Sequence, residues 1–225
     1  YRVTLGFATA AVKRNALIFE QSRVSSVKPT GAGVDVVVDG GVIHAGHVVF
    51  ASNYPPSAFA PLRRHFTLTD TYCVLTPPLP SFVRREFGRS RAIVIDQEDP
   101  PHLLRRTSDD RVLCLGADQP HLTPRAREKA VVQRAGQLMY ELSKLYPAMA
   151  GIQPEYGWDV TVSSTVDALP CIGPHRNYPR HLFALGLGHH GVGAAWLAAR
   201  VVVRSYLGHP AKDDALLGFA RLRGR

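Results

Sequence analysis

The chain has 225 residues, 45% of them hydrophobic and 20% charged, with a formal net charge of +9. That composition excludes a disordered tail and allows a sizeable core, since chains of this size hide roughly 70% of their unfolded surface. Three cysteines, at 73, 114 and 171, stand too far apart for a disulfide-dense scaffold or a Cys-x-x-Cys zinc site; they imply free thiols in a reducing compartment and hence a cytoplasmic location.

In chain order, residues 5–14 carry apolar side chains at helical spacing, with Asn15 as the stop. Residues 16–20 predict a short buried strand and 24–28 a second. A hairpin follows, with strand 34–38, the turn Asp39-Gly40-Gly41 and a return strand over 42–51. Residues 52–61, rich in Pro, Ser and Asn, predict a crossing between domains. Strands at 71–75, 92–96, 102–106 and 112–116 predict a mostly antiparallel region, with a short helix over 80–87 and a turn at Ser108-Asp109-Asp110-Arg111. Thr123-Pro124 opens the clearest helix, with Thr123 as its cap and Val131, Ala135, Leu138, Leu142 and Leu145 as its apolar stripe. Pro147 ends it, and residues 156–162 form the next strand. Residues 181–187 predict an apolar strand and 191–207 an almost wholly apolar helix, which must sit inside a larger body.

No run of about 18 apolar residues occurs, so no membrane span is expected. The most apolar stretch, 194–203, is too short and contains Arg200. Arg supplies 22 of the 27 basic residues, in scattered pairs such as Arg63-Arg64, Arg84-Arg85 and Arg105-Arg106. That scatter argues against a nucleic-acid surface and suits an anionic small molecule. The chain opens on Tyr1 rather than Met, in mid-pattern and without a secretory leader, so a fragment of a longer protein is expected.

Two stretches could carry chemistry. Leu185-Gly186-Leu187-Gly188-His189-His190-Gly191-Val192-Gly193 lies between a predicted strand and a predicted helix. Its glycines let a ligand approach the backbone, and the helix start offers free N–H groups. The same glycines also serve a tight turn that packs a helix closely on a sheet. Residues 164–174, containing Thr165-Val166-Asp167 and Leu169-Pro170, read alone as a turn between strands. His189 and His190 have no acidic or Cys partner at ligand spacing, even with His175 and His181, so no metal site is expected.

Taken in order, these residues resemble a known family. Trp158, then Thr165-x-Asp167-x-Leu169-Pro170-x-Ile172-Gly173-Pro174, then Phe183-Ala184-x-Gly186-x-Gly188-His189-x-Gly191 is similar to the C-terminal signature of the FAD-dependent D-amino-acid oxidase, glycine oxidase and sarcosine oxidase superfamily. Leu5-Gly6-x-Ala8-x-Ala10, Ile18-Phe19-Glu20-x-x-x-Val24 and Val42-Ile43-x-Ala45-x-x-Val48-Val49-x-Ala51-Ser52-Asn53 resemble its middle stretch. Asp70-x-Tyr72, Asp96, Pro100-Pro101-His102 and Asp109-Asp110-Arg111 look like members acting on amines such as γ-glutamylputrescine. The N-terminal Rossmann βαβ unit, with its Gly-x-Gly-x-x-Gly turn, has no counterpart here.

The resemblance implies an α+β fold. Residues 1–53 and 163–210 would be the α/β-type remainder of the FAD-binding domain, 54–162 an antiparallel substrate domain, and 211–225 a basic tail. It implies non-covalent FAD, since no cysteine sits where covalent members attach the flavin. The reaction implied is hydride transfer from the carbon beside an amine, giving an imine. Gly186, Gly188, His189, His190, Gly191 and Val192 would face the flavin ring, Val24 the adenine, and Ala51 and Ser52 the pyrophosphate. Tyr72, Arg105 and His189 would line the substrate side. The arginine that clamps an amino-acid carboxylate in many members is replaced by Val162, which favours an amine or a larger substrate. The missing N-terminal segment, on this or another chain, would be a required partner; without it the chain is a non-catalytic fragment.

Overall fold

The computed structural model describes residues 1–88 and 92–222, and for His190 the backbone alone. Two strands of equal length set the architecture. β5 (Phe66–Leu75) and β9 (Tyr156–Thr165) pair antiparallel over ten residues each. β8 (Val112–Pro120) lies on the other side of β5, followed outward by β7 (Leu103–Arg106) and β6 (Ile93–Ile95), so the five-stranded sheet runs β6-β7-β8-β5-β9. Helix α3 (Pro124–Leu145) crosses one face.

The pleat decides what each face does, because successive side chains alternate across a strand. Leu104, Cys114 and Val74 are register partners across three strands and pack under Leu138 and Leu142 of α3. Gly157 continues that row; a Cβ there would stand 3.3 Å from the Ala135 Cβ, so glycine lets the helix lie close. The alternate row, Ile95, Leu103, Leu115, Cys73 and Trp158, faces away from α3.

Polar ties fix α3 against this sheet. Asp70 is fully buried and accepts from His121 Nδ1 at 2.8 Å, from the Leu122 N–H at 2.9 Å and from the Thr161 hydroxyl at 2.8 Å. Burial opposes its ionisation, but these bonds outweigh burial and hold its carboxyl below the usual range. His102 stands between two carboxylates, with Asp96 Oδ2 2.7 Å from Nδ1 and Glu141 Oε2 2.8 Å from Nε2. It thereby clips the β6–β7 connection to α3.

Two smaller sheets hold the remaining strands. β1 (Val24–Pro29), β2 (Val34–Val38) and β3 (Gly41–Ala45) form an antiparallel sheet, with Gly40 at φ 94° in the β2–β3 turn. β10 (Cys171–His175), β11 (Tyr178–Leu185) and β4 (Val48–Asn53) form the other, and β11 runs parallel to β4. Helix α4 (Gly191–Tyr206) packs Ala198 and Val201 on Ile172 and Ala184 of this sheet. The other face of this sheet meets an aromatic core of Phe59, Phe66, Phe183 and Phe219. Helix α1 (Arg2–Val12) buries none of its residues, and α2 (Ser81–Glu86) buries Val83.

The mixed helix and sheet content agrees with the α+β expectation, while several local readings change. Residues 16–20 form no strand: Leu17 and Phe19 are exposed, because the described chain supplies no partner strand for them. The return strand over 42–51 breaks at Gly46-His47, and β3 and β4 join different sheets. Residues 164–174 are not all turn, since β9 runs to Thr165 and β10 starts at Cys171. Pro124 opens α3 at the first turn, but Thr123 makes no side-chain cap bond. The stretch read as a basic tail folds back in two 3-10 turns, Lys212–Leu217 and Phe219–Leu222, and buries Phe219 and Leu222. Val49 of β4 is exposed, whereas Leu185 of β11 is fully buried.

The His102 clip makes a pH prediction. Burial lowers the imidazole pKa, but the bonds to Asp96 and Glu141 outweigh it and leave it raised. A raised folded-state value contributes stability that is complete below the unfolded histidine value near 6.5 and is lost as pH rises through the folded one. Urea unfolding of the wild type should therefore weaken more between about pH 6 and about pH 9 than that of His102→Gln. Parallel pH profiles would show that the clip carries no proton-linked stability.

Candidate flavin-facing site

The site begins where two parallel strands end together. Asn53 closes β4, and its register partner Leu185 closes β11. Asn53 sits at φ 62°, a conformation that Asn tolerates better than most side chains. Its backbone carbonyl accepts from the Gly186 N–H at 2.7 Å, and its side-chain Oδ1 accepts from the Leu187 N–H at 2.8 Å. One residue thus holds the first two N–H groups of the glycine-rich turn.

That turn needs glycine for two different reasons. Gly186 has φ 67°, and a Cβ there would lie 2.9 Å from the Phe66 ring. Gly188 has φ 61°, but a Cβ on Gly188, Gly191 or Gly193 would meet nothing within 4 Å. The chain's own packing therefore leaves these three positions open to an approaching body. A 3-10 turn over Gly188–His190 leads into α4, whose first turn contains no acidic residue. Its N–H groups and positive dipole end are available to an electron-rich ligand edge.

Val24, Ala51 and Ser52 line one cavity of about 370 Å³, together with Val49, Phe50 and Pro56. Since Ser52 precedes Asn53, this cavity and the glycine turn meet at the end of β4. Ser52 donates its hydroxyl to the Tyr54 carbonyl at 2.9 Å.

Thr165-Val166-Asp167 underlies the turn. Arg221 donates through Nε to Asp167 Oδ2 at 2.8 Å, the Thr165 hydroxyl lies 2.7 Å from Asp167 Oδ1, and the Leu169 N–H donates to the same oxygen at 3.2 Å. The Arg221 bond, followed by those from Thr165 and Leu169, outweighs burial and holds the Asp167 carboxyl far below its ordinary value. This aspartate is a structural anchor for the turn before β10.

The substrate-side residues fall in different places. Tyr72 is buried on the α3 face, where Gln119 donates to its hydroxyl, so it does not border the face turned away from α3. The pleat that sends Cys73 and Thr71 to that face sends Tyr72 to the helix. Arg105 does share the face, in register with Leu113, and is exposed. His189 reaches the same face, with Nε2 3.5 Å from Asp118 Oδ2 on β8. Val192 is exposed at the start of α4, and the His190 side chain lies outside the described residues. Asn53 and Asp118 were not among the residues picked from sequence. A lone Asn at a strand end and an Asp after Gly116-Ala117 give little signal until the register is known.

These features fit a flavin: an open glycine turn, an unopposed helix start, and a neighbouring cavity at the carboxyl ends of parallel strands, where α/β sheets bind ligands. The three cysteines are buried, and burial is the main force pushing Cys73 and Cys114 up to about 12 and Cys171 to about 11. Among the described residues, no helix is long and apolar enough to cross a membrane, and no cluster of His, Cys, Asp and Glu could hold a metal ion.

Comparison with known proteins gives the family and the fold. A family model described as FAD dependent oxidoreductase, DAO, matches residues 1–205, and the chain belongs to that family. Glycine oxidase from Geobacillus kaustophilus superposes with a TM-score of 0.74 at 19% identity, covering 95% of this chain and 56% of that one. L-Proline dehydrogenase from P. horikoshii superposes with a TM-score of 0.76 at 20% identity, covering 99% of this chain and 60% of that one. L-Amino acid deaminase from Proteus myxofaciens gives 0.71 at 16% identity, covering 96% and 59%. The chain thus spans less than two thirds of the length of these structures. No curated protein matches it in sequence.

The Asn53 junction is directly testable. Asn53→Ala should cost about 1–3 kcal/mol, combining a lost hydrogen bond with a left-handed backbone. Asn53→Gly should cost clearly less, because glycine keeps the backbone free. Chemical denaturation separates the two; equal costs would place the whole effect in the side-chain bond.

Proposed function

We propose that this chain supplies the flavin-facing and substrate-facing part of an oxidoreductase that oxidises a C–N bond of an amine or amino acid to an imine. The observation that supports this best is the Asn53 junction, which sets the open glycine turn beside the Val24, Ala51 and Ser52 cavity. When bound, FAD supplies the acceptor for a hydride from the carbon next to the substrate nitrogen. Gly186, Gly188, His189, His190, Gly191 and Val192 border its ring, while Val24 meets the adenine through its backbone and Ala51 and Ser52 lie by the pyrophosphate. The N–H groups opening α4 stabilise the negative charge of a reduced ring. The cofactor is held without a covalent bond.

The amine end of this substrate range is favoured by Val162, which puts an apolar side chain on β9 where a carboxylate clamp would stand. The likeness to γ-glutamylputrescine-type members draws on Asp70, Asp96, His102 and Arg111. The fold employs these as ties between elements, so they do not themselves select a substrate.

A second reading is that the chain alone cannot hold FAD. It is favoured by the apolar side chains left exposed on α1 and α4, including Val3, Phe7, Val192 and Trp196. They suit a further polypeptide segment, on this chain or another, that completes the dinucleotide cradle. The three unpaired thiols suit a reducing, cytoplasmic setting.

Gly191→Leu tests the ring's position. Its Cβ meets nothing in the chain, so melting should stay within about 2 °C of wild type. FAD affinity of the complete flavoprotein should fall at least about a hundredfold. Unchanged flavin content would remove the ring from this turn.

A further inference from the structure

A bulge in the five-stranded sheet brings together groups that neither strand pairing nor the α3 interface uses. Asp70 pairs with Gln119 and Tyr72 with Gly116, so Thr71 stands opposite two residues, Ala117 and Asp118. Ala117, at φ 53°, packs into the α3 core. Gln119 also turns to α3, where it bonds Tyr72 and Arg134. Asp118, between them, is directed to the other face, and its contact with His189 of the glycine turn agrees.

That face carries the makings of a cation site. Asp118 keeps a fifth of its side chain exposed, and its 3.5 Å separation from His189 is long for a charge-assisted bond. Thr71 is 4% exposed, and its hydroxyl has no hydrogen-bond partner. Buried hydroxyls without partners are uncommon and call for one. Trp158, in register with Cys73 one row away, leaves 39% of its surface open. The Cys73 thiol is pushed up to about 12 by burial and then by Asp118, and it adds no charge. Arg105 shares the face but stands beside Leu113, roughly 15 Å along β8.

We infer that Asp118, with the Thr71 hydroxyl and the Trp158 ring, binds an ammonium group of the substrate. A carboxylate, a hydroxyl oxygen and an aromatic face are the partners that such a group prefers. A nitrogen held this way stays protonated, and its lone pair is unavailable for oxidation. It is therefore a second nitrogen, distant from the reacting one, and the substrate class is a diamine or a substituted diamine. This inference rests on the oxidoreductase reading for its substrate role.

The test titrates the full chain with 1,4-diaminobutane and separately with 4-aminobutyrate, following amide and indole resonances by NMR. The diamine should shift Thr71, Asp118 and Trp158 and bind at least about tenfold more tightly than the amino acid. Asp118→Asn should remove that preference, and Thr71→Val should weaken diamine binding about threefold, with melting of both variants checked against wild type. Absence of shifts at these residues, equal binding of the two probes, or an Asp118→Asn variant that keeps the preference would overturn the inference. Visible absorbance of the complete flavoprotein after FAD addition reads the parent proposal separately. Diamine binding without flavin uptake contradicts the oxidoreductase role alone, and flavin uptake without diamine selectivity contradicts this inference alone.

Discussion

Asn53 is the constraint on which the site depends. Two hydrogen bonds from one residue, through its carbonyl and through its side chain, set the exit of β11 against the exit of β4. They carry the parallel pairing of β4 and β11 one step further, into the glycine turn beside the cavity lined by Val24, Ala51 and Ser52. Phe66 limits the turn from beneath by leaving no space for a side chain at Gly186. The positions beyond, Gly188, Gly191 and Gly193, are free of such contacts. The turn is therefore firmly held on one side and open on the other, as a platform for a flat ligand requires.

The five-stranded sheet completes that arrangement through its pleat. One face is committed to α3 by Val74, Leu104 and Cys114 and by the buried Asp70 network. The opposite face is left with Cys73, Trp158, Val160 and Asp118, and His189 of the glycine turn comes to meet it. Packing on α3 and the proposed substrate side are thus divided between alternate residues of the same strands. A one-residue slip of β5 would exchange the two sets.

Much of the fold was legible because it follows strong local signals. Thr123-Pro124 and the stripe from Val131 to Leu142 mark α3, and Asp39-Gly40 marks the β2–β3 turn. The glycine spacing of 186–191 and the Thr165-x-Asp167 motif point to the family before any coordinates. What failed depends on distant partners. Residues 16–20 look like a strand but find no neighbour, and 42–51 look continuous although the two halves pair with different sheets. The resemblance put Tyr72 on the substrate side; alternation along β5 has no fixed phase until α3 is placed, and it turns Tyr72 to the helix. Asp118 and Thr71 were missed because a bulge is invisible without the register. Residues 211–225 read as a basic tail, and within that stretch Arg221 finds Asp167, 54 positions earlier.

Hydrogen exchange of the complete flavoprotein, with and without FAD, tests the central claim most directly. FAD should slow exchange at the amides of Gly188, His189, Gly191 and Val192, and at Val24, Ala51 and Ser52, while the outer strands β6 and β7 stay unchanged. Protection confined to β6 and β7, or its absence around Gly191, would show that the ring does not lie against the turn anchored by Asn53.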